Sequence, residues 1–425
     1  MKKRISELKD FYILWSTQSL SQLGSAMTNF ALTLWLYQST GSALQTALLS
    51  ICSYAPYVVM SIFSGALSDK WDKKKIMLVC DTLAACCTVT VFALLGLGIL
   101  HPRHLYALNA INGLMNTIQS PASDVAITFI TPKAHYQHTS GLRSFSRSLI
   151  TILHPVLATS LYSFGGMTTV IAVDLITYVI AFNSLLFLVK IPKSRNERKA
   201  NRESILGAAK KGLHCLKQNR LVLCLILFLA GVNLVASAFD AVLPAFVLPR
   251  ENGGETVLGL ITTCGGIAML VGSLIATTMS APKDRVKLIV LTMLFSLTTE
   301  NFLLSLSKEP ALWCIAQVLG FLPVPLMDTN LDVIIRTTIP ADMQGRVYSC
   351  RNTLQFFTIP VGFFLGGWMV DSFCEPYMAS EPSVIMVALF GQGKGAGAAA
   401  MIFLLGLAGF IICISFGAIL KKYNT

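Results

Sequence analysis

Charged residues are scarce in this sequence. Asp, Glu, Lys and Arg make up 13% of its 425 residues, whereas soluble domains carry about 25%. Hydrophobic residues make up 54%, and the mean hydropathy is +0.65. A chain of this size with so few charges cannot cover its surface with polar groups as a soluble protein does. The composition therefore predicts an integral membrane protein.

Sequence signatures of enzymes and of metal sites are also missing. The 11 cysteines include no Cys-x-x-Cys pair, so neither a zinc site nor a disulfide framework is predicted. We find no phosphate-binding glycine loop, no nucleophile elbow and no cluster of metal ligands in the sequence. We therefore expect no enzymatic activity, no cofactor and no bound metal.

Apolar segments long enough to span a membrane can be counted along the chain, because a spanning helix needs about 20 mostly apolar residues. The pattern predicts an all-α membrane protein with a six-helix half at 1–190, a basic cytoplasmic linker at 191–219 and a second six-helix half at 220–425. Within the linker, Ser204–Gln218 is predicted to form an amphipathic helix on the inner leaflet or a simple basic tether. The twelve predicted spans are 11–38, 42–68, 76–100, 103–131, 140–163, 167–190, 220–248, 256–280, 286–307, 310–338, 342–370 and 396–420.

Basic residues fall almost entirely on one side of these spans. Of the 33 Lys and Arg residues, 29 lie on the side of the two termini, and only Arg103, Arg250, Lys308 and Lys394 lie on the other. The positive-inside rule therefore predicts a multi-pass protein of the cell (inner) membrane with both termini in the cytoplasm. Membrane orientation explains the net charge of +12 better than a nucleic-acid partner does.

The two halves repeat each other in sequence. The segment Asp124–Pro132 at the end of span 4 recurs as Asp332–Pro340 at the end of span 10, at an offset of 208. Pro155 and Pro360 occupy nearly matching places in spans 5 and 11, where each is expected to break its helix. Duplicated six-helix halves are typical of transporters, which bind substrate near the midplane between the halves.

Polar side chains recur at helical spacing in spans 1, 4, 7 and 10, so each set falls on one helix face. In lipid such side chains must find a partner or face water. Singly they are explained by hydrogen bonds between helices, but together they predict a polar cavity. The substrate-cavity candidates are Gln18, Gln22, Ser25, Asn29, Asn109, Asn112, Asn116, Asn233, Ser237 and Gln317.

Acidic residues within the spans are candidates for proton or cation coupling. A carboxyl group that binds a proton in one conformation and releases it in another links proton flow to transport. Asp240 and Asp328 are the acids that nearby basic residues explain least. Asp332 is also a candidate, although Arg336 one turn further on makes a structural ion pair equally consistent.

Other titratable residues in the spans have simpler explanations. Asp124 is a coupling candidate, but it can equally cap a helix or pair with a nearby arginine. His154 titrates in a useful pH range, although a buried, hydrogen-bonded histidine explains it more simply. Asp174 and Glu300 lie on spans expected to be peripheral or only partly lining, and they carry less weight.

The segment 65–77 between spans 2 and 3 contains a dense charge cluster, GALSDKWDKKKIM. The segment resembles the loop between helices 2 and 3 of major facilitator superfamily transporters, and the residues that match that loop are Gly65, Asp69, Lys70, Lys73 and Lys74. Asp72 stands where that loop usually has a second glycine. The resemblance implies the twelve-helix facilitator fold, with helices 1, 4, 7 and 10 lining a central cavity.

Further segments resemble the drug-efflux branch of this superfamily, and within it macrolide-efflux proteins. They are FYILWSTQ at 11–18, QGRVYS at 344–349 and GWMVDSFCEPYM at 367–378. The resemblance implies a secondary active transporter, a proton-driven exporter of an amphipathic small molecule or drug such as a macrolide-like compound. Many relatives have an arginine in helix 4 where this chain has Asn112-Gly113, and a glycine before the helix-5 proline where it has His154. Both departures leave proton coupling open.

The charged segment 65–77 also suggests a conformational latch. Asp69, at the end of span 2, would be attracted to the positive N-terminus of span 11 on the same membrane face. The residues assigned to this latch are Gly65, Asp69, Lys70, Lys73, Arg346 and Arg351.

Other functions remain open at this point. One is a facilitator-type transporter of a siderophore, lipid or metabolite, and another is a transporter-like membrane sensor that moves nothing. The sensor predicts degraded polar stripes and an added soluble domain, and the sequence shows neither. The expected partners are a small-molecule substrate, protons and the lipid bilayer, with no nucleic acid, and the expected state is a monomer.

Overall fold

The computed structural model describes residues 7–132, 135–192, 205–380 and 382–423. For residues 61–70, 137, 205–206, 208–209, 341–342, 345 and 349 the backbone alone is described. The described residues form helices joined by short turns, with no strand among them. This confirms the all-α fold predicted from composition and hydropathy.

The first ten helices run from the N-terminus to the tenth span. They are α1 (Lys9–Thr40), α2 (Ala43–Lys70), α3 (Lys73–Gly96), α4 (Pro102–Ile130), α5 (Tyr136–Asn183), α6 (Ile205–Gln218), α7 (Arg220–Val247), α8 (Glu255–Thr278), α9 (Arg285–Leu306) and α10 (Pro310–Phe321). The others are α11 (Val324–Thr338), α12 (Ala341–Phe356), α13 (Thr358–Met369), α14 (Glu375–Ala379), α15 (Val384–Phe390) and α16 (Ala396–Lys421). Two π-helical turns, Ser184–Leu188 and Val370–Cys374, follow α5 and α13.

Twelve membrane spans can be traced through these helices, as predicted. By length and apolar composition alone, nine stretches of the described residues qualify as spans. One of them, His138–Leu188, contains two spans joined at the non-helical Gly165 and Gly166. The other two spans are α1 and α4, which have the polar stripes and so fall short of the apolar criterion.

The helix break predicted at Pro155 is absent. Pro155 lies within the continuous helix α5, so the prediction of a break there is wrong. Proline cannot donate a backbone hydrogen bond, so the carbonyl of Thr151 one turn earlier lacks its usual helical donor. The neighbouring His154 Nδ1 lies 3.0 Å from the carbonyl oxygen of Ile150, next to that position.

The second half is interrupted where prolines cluster. Span 10 is broken between α10 and α11 at Leu322–Pro323, with Pro325 in the first turn of α11. Span 11 is broken at Phe357, shortly before Pro360. Of the two alternatives for Ser204–Gln218, the structure shows a helix, α6, over Ile205–Gln218. Its Gly212 lies directly against the backbone of Arg346 in α12.

The chain divides into two compact units. Unit 1 consists of Met1–Trp35 and Cys52–Ile205, and unit 2 consists of Leu36–Ile51 and Leu206–Thr425. In unit 1, α3 packs along α4, and the backbones of α2 and α4 approach closely at Gly113. A β-carbon at Gly113 would lie 2.1 Å from the carbonyl oxygen of Ser53. Small residues at such crossings let membrane helices pack closely, and this one fixes the polar face of α4.

In unit 2, two carboxylates cap the N-termini of helices far away in sequence. Asp371 accepts hydrogen bonds from the backbone amides of Ala43 (3.0 Å) and Leu44 (2.9 Å), the first residues of α2. Glu375 accepts hydrogen bonds from the amides of Gly395 (3.0 Å) and Ala398 (3.0 Å) at the start of α16. Helix N-termini have unpaired N–H groups and a partial positive charge. The two acids therefore hold α2 and α16 to the end of α13.

Arg250, in the turn between α7 and α8, anchors the same unit. Its guanidinium lies 4.2 Å from the ring centroid of Phe246 and donates hydrogen bonds to the carbonyls of Phe390 and Gly395, both at 3.2 Å. Burial lowers the pKa of Arg250 to about 10, and the charge of Glu375 partly opposes this shift. With a pKa of about 10 the group is still cationic at neutral pH.

Candidate functional site

A polar cavity of about 390 Å³ lies within unit 1. It is lined by α1, α3, α4 and α5, and its size is within the range of pockets that bind small molecules. All seven cavity candidates predicted in the first half line it: Gln18, Gln22, Ser25, Asn29, Asn109, Asn112 and Asn116. Asn112 Oδ1 is buried and has no hydrogen-bond partner.

Two aspartates give the cavity acidic character. Asp81, on α3, accepts hydrogen bonds from Gln18 Nε2 at 3.0 Å and from Gln119 Nε2 at 2.6 Å. Its partners come from α1 and α4, so three helices meet at this carboxylate. The polar stripes of α1 and α4 therefore hold an acid that sequence analysis did not select.

Asp174 is the second acid and is 4% exposed. It lies on α5 after the Gly165–Gly166 kink and accepts hydrogen bonds from Ser25 Oγ (3.1 Å) and Thr28 Oγ1 (2.9 Å) on α1. Gly24 lies against it, because a β-carbon there would be 3.0 Å from Asp174 Oδ1. The sequence alone gave this residue little weight because its span was expected to be peripheral.

Neutral amides and hydroxyls hold both carboxylates. Each bonded oxygen can accept further hydrogen bonds, because a carboxylate offers about four lone pairs. Apolar side chains complete the wall, among them Leu32, Val91 and Leu105. The cavity therefore combines acceptors suited to a cation or hydrogen-bond donor with surface suited to hydrocarbon.

The ion pair between Arg143 and Asp124 also lies in the wall of this cavity. Asp124 is the coupling candidate for which an arginine partner was the alternative. Both side chains of the pair are partly exposed. The observed pair accounts for Asp124 without a transport role.

The predicted cavity residues of the second half are placed differently. Asn233 Nδ2 donates to the carbonyl of Gln355 at 3.0 Å, and Ser237 Oγ donates to the carbonyl of Asn233 at 2.7 Å. Gln317 is 3% exposed, and its Oε1 is unpartnered. Within unit 2, Asn233 and Ser237 thus bond to helix backbone.

The coupling candidates of unit 2 fall into two places. Asp240 is exposed on α7 between the buried Phe239 and Ala241. Asp328 and Asp332 share a depression on α11 with Arg336 and Arg351.

Asp332 has several partners in this depression. It pairs with Arg336 at 3.1 Å and with Arg351 at 3.5 Å, and it accepts a hydrogen bond from Tyr348 at 3.2 Å. The ion pair expected from the spacing of Asp332 and Arg336 is therefore present.

The remaining candidates are His154 and the predicted latch residues. His154 Nδ1 lies 3.0 Å from the carbonyl oxygen of Ile150, as a hydrogen-bonded structural histidine does. The side chains of Gly65, Asp69 and Lys70 lie outside the described residues. Of the other latch residues, Lys73 is buried, Arg346 Nη1 lies 3.2 Å from Met343 Sδ, and Arg351 Nε donates to Gln355 Oε1 at 2.9 Å.

Comparison with known proteins identifies the class of protein. The family model described as "Transmembrane secretion effector" (MFS_3) matches residues 7–393. The chain belongs to this family, and it is a multi-pass membrane transporter of the major facilitator superfamily.

Individual relatives share this architecture. Macrolide efflux protein A of Streptococcus pyogenes is 24% identical over 365 residues, which cover 85% of this chain and 89% of that protein. Multidrug efflux pump Tap of Mycolicibacterium fortuitum is 22% identical over 361 residues, covering 82% and 86% of the two chains. A point mutant of the nucleoside transporter NupG superposes with a TM-score of 0.73 at 12% identity, covering 96% of this chain and 98% of that one. A bacterial homologue of ferroportin in an inward-facing state gives 0.65 at 14% identity, with coverages of 96% and 99%. These two structures support the fold alone.

Proposed function

We propose that this transporter exports an amphipathic small molecule, such as a macrolide-like drug, and that the substrate binds in the polar cavity of unit 1. The observation that carries the proposal is the pair Asp81 and Asp174, held by neutral donors next to apolar wall. A basic amine on an otherwise apolar molecule complements both features. The relatives named as macrolide and multidrug efflux proteins support the same class of substrate.

A substrate panel tests this proposal. Expression in a host that lacks its own efflux pumps should raise resistance to amphipathic amines and lower their accumulation in cells. Uncharged analogues of the same size are expected to be poor substrates. If expression instead changes the accumulation of a siderophore or metabolite and of none of the amines, the assignment as a drug exporter is wrong.

We propose that protons drive export through acids of unit 2, with Asp240 and Asp328 as the coupling groups. Both are exposed, and neither has a salt-bridge partner among the described residues, in contrast to Asp124 and Asp332. An acid without a fixed partner can exchange its proton as its surroundings change. We further propose that the transporter works as a monomer.

We also propose that both termini lie in the cytoplasm, on the basis of the 29 basic residues on their side of the membrane. Single cysteines at Lys2, Lys199 and Thr425 should react with an impermeant thiol reagent only after the membrane is opened. A cysteine near Glu381 should react in intact cells. Labelling of residue 199 from outside would contradict the six-plus-six arrangement.

For the loop between α2 and α3 we propose a latch, in which Asp69 holds the start of α12 when the cytoplasmic side is closed. Asp69→Asn should leave expression normal and shift the conformational equilibrium about two- to fivefold, because an exposed charge at a helix N-terminus contributes about 0.3–1 kcal/mol. Cytoplasmic accessibility of a probe cysteine at the cavity should rise, and transport should slow.

A second aspartate in the same loop provides the control for this latch. Asp72 caps α3 by accepting a hydrogen bond from Lys75 N at 3.2 Å, and asparagine caps helices equally well. Asp72→Asn should therefore change neither accessibility nor transport. Equal effects of the two substitutions would show that loop charge alone matters and that no latch exists.

A further inference from the structure

Unit 2 contains a buried carboxyl group that neither the predicted sites nor the proposed coupling pair uses. Glu300 lies on α9 and is 5% exposed. Its Oε1 is buried and has no hydrogen-bond partner. Among the described residues it forms no salt bridge, whereas Asp124 and Asp332 each pair with an arginine.

The carboxyl group is pressed against α10. A β-carbon built at Gly320 would lie 2.1 Å from Glu300 Oε2 and 2.3 Å from Glu300 Cδ, so a larger residue there would displace the acid. One turn earlier in the chain, Ser296 Oγ donates to the carbonyl oxygen of Gly320 at 2.6 Å. Both side chains of α9 thus contact α10 at Gly320.

A second buried oxygen without a hydrogen-bond partner lies on α10, one turn before Gly320. Gln317 precedes Gly320 by three residues, is 3% exposed and has an unpartnered, buried Oε1. Buried acceptors without donors are rare because each loses its hydrogen bonds to water. Gln317 packs against α8, because a β-carbon at Gly265 would lie 3.3 Å from its Nε2. Glu300 is therefore the acid in this region whose buried oxygen lacks a donor.

The ionisable groups around Glu300 do not stabilise a negative charge there. Asp240 on α7 interacts electrostatically with Glu300, and both side chains are acids. The same helix carries Arg285 and Lys287 at its start, far from Glu300 along the chain. Among the described residues, the helices packed against α9 carry Cys314 on α10, Asp328, Asp332 and Arg336 on α11, and Cys413 and Lys421 on α16.

We propose that Glu300 is a proton-binding site of unit 2. A proton taken from water converts the carboxylate into a neutral acid, which removes the buried charge of a group that has no donor for its Oε1. Release of that proton requires a conformation in which Glu300 reaches water or a cation. The part of this proposal that concerns export rests on the proposed proton-driven function.

Infrared spectroscopy of the full-length protein in lipid vesicles tests the site without any transport. A protonated carboxyl group has a carbonyl stretch that a carboxylate lacks, and Glu300 should give such a band at neutral pH. Glu300→Gln, which keeps the shape and removes the acid, should abolish the band. The matched control is Glu309→Gln, at the exposed N-cap of α10, which should leave the band unchanged. A wild-type spectrum identical to that of Glu300→Gln overturns the proposal.

Two further measurements use the wild-type protein, so they do not depend on whether Glu300→Gln folds. Dicyclohexylcarbodiimide, an apolar reagent for protonated carboxyl groups, should modify Glu300 in the wild-type protein, as read by peptide mass spectrometry. Absence of this modification contradicts a protonated Glu300. Replacing sodium by choline should not change the infrared band, whereas a band that appears only without sodium would assign the site to a metal cation instead.

Transport assays distinguish the coupling role of Glu300 from the assignment of the protein as an exporter. With Glu300→Gln, export driven by a proton gradient should fall at least about tenfold, while exchange of labelled for unlabelled substrate without a gradient should be kept. If driven export by Glu300→Gln equals that of the wild type, the coupling role of Glu300 is wrong although the exporter assignment stands.

Discussion

Replacing Asp174 by asparagine is expected to reduce export of a basic substrate by at least about 30-fold, equivalent to about 2 kcal/mol. This is the lower end of the loss seen when one partner of a buried, hydrogen-bonded charge pair is removed. Asparagine has the same shape. Its amide oxygen can accept from one of the two hydroxyls of Ser25 and Thr28, and its Nδ2 can donate to the other, because a hydroxyl also accepts. The substitution therefore removes the charge and preserves the contact between α5 and α1.

The same result is expected for Asp81→Asn. Its amide oxygen can accept from one of Gln18 and Gln119, and its Nδ2 can donate to the other once that glutamine turns its own amide oxygen towards it. Initial export rates over a range of substrate concentrations provide the measurement. Ser25→Ala is the matched control, since it removes one donor and keeps both charges. It should cost about 1 kcal/mol, or about fivefold. Undiminished export by both aspartate variants would show that these acids do not recognise the substrate.

The second large effect is expected at the coupling acids. Asp240→Asn and Asp328→Asn should each lower proton-driven export at least about tenfold and leave the protein folded in the membrane. Exchange of labelled substrate in the absence of a gradient should continue, because the cavity proposed to bind substrate lies in unit 1 and remains intact. Loss of driven export with retained exchange is the signature of uncoupling.

Proteoliposomes with an imposed pH difference allow both reactions to be measured on the same preparation. Glu251→Gln is the control, because Glu251 is exposed in the turn between α7 and α8. It should behave as the wild type in both assays. If Asp240→Asn and Asp328→Asn drive export at the wild-type rate, coupling does not depend on these residues, and Glu300 becomes the first alternative.

Helical spacing was enough to predict one side of the cavity. Gln18, Gln22, Ser25 and Asn29 recur every three or four residues, and a helix brings such positions to one face. All four line the cavity of unit 1. The twelve spans were predictable for a similar reason, because the thickness of the membrane fixes the length of each apolar run.

The acids of the cavity could not be predicted in this way. Asp81 is a lone charge in an apolar helix, and its partners Gln18 and Gln119 are 63 and 38 residues away in sequence. Only the packing of α1, α3 and α4 shows that their amides meet one carboxylate. A lone aspartate in an otherwise apolar span was the available signal, since such a charge is costly in lipid unless it has partners.

The prediction for α5 was also wrong, because Pro155 was expected to interrupt this helix and does not. Proline normally removes a hydrogen bond and breaks a helix, which predicted an interruption at Pro155. The ring of His154 bonds to the carbonyl of Ile150 in the preceding turn, and α5 continues through Pro155. A side-chain donor that satisfies backbone in this way depends on a rotamer, which no sequence pattern specifies.

Protection of a single cysteine by substrate tests most directly whether the cavity of unit 1 binds what the protein exports. Asn116 is exposed and lines the cavity, so Asn116→Cys should react with a small maleimide. Ser140→Cys is an exposed control outside the cavity lining. With labelling read for each peptide by mass spectrometry, saturating substrate should slow the reaction at residue 116 severalfold and leave that at residue 140 unchanged. Equal labelling of residue 116 with and without an exported substrate would contradict the assignment of this cavity as the binding site.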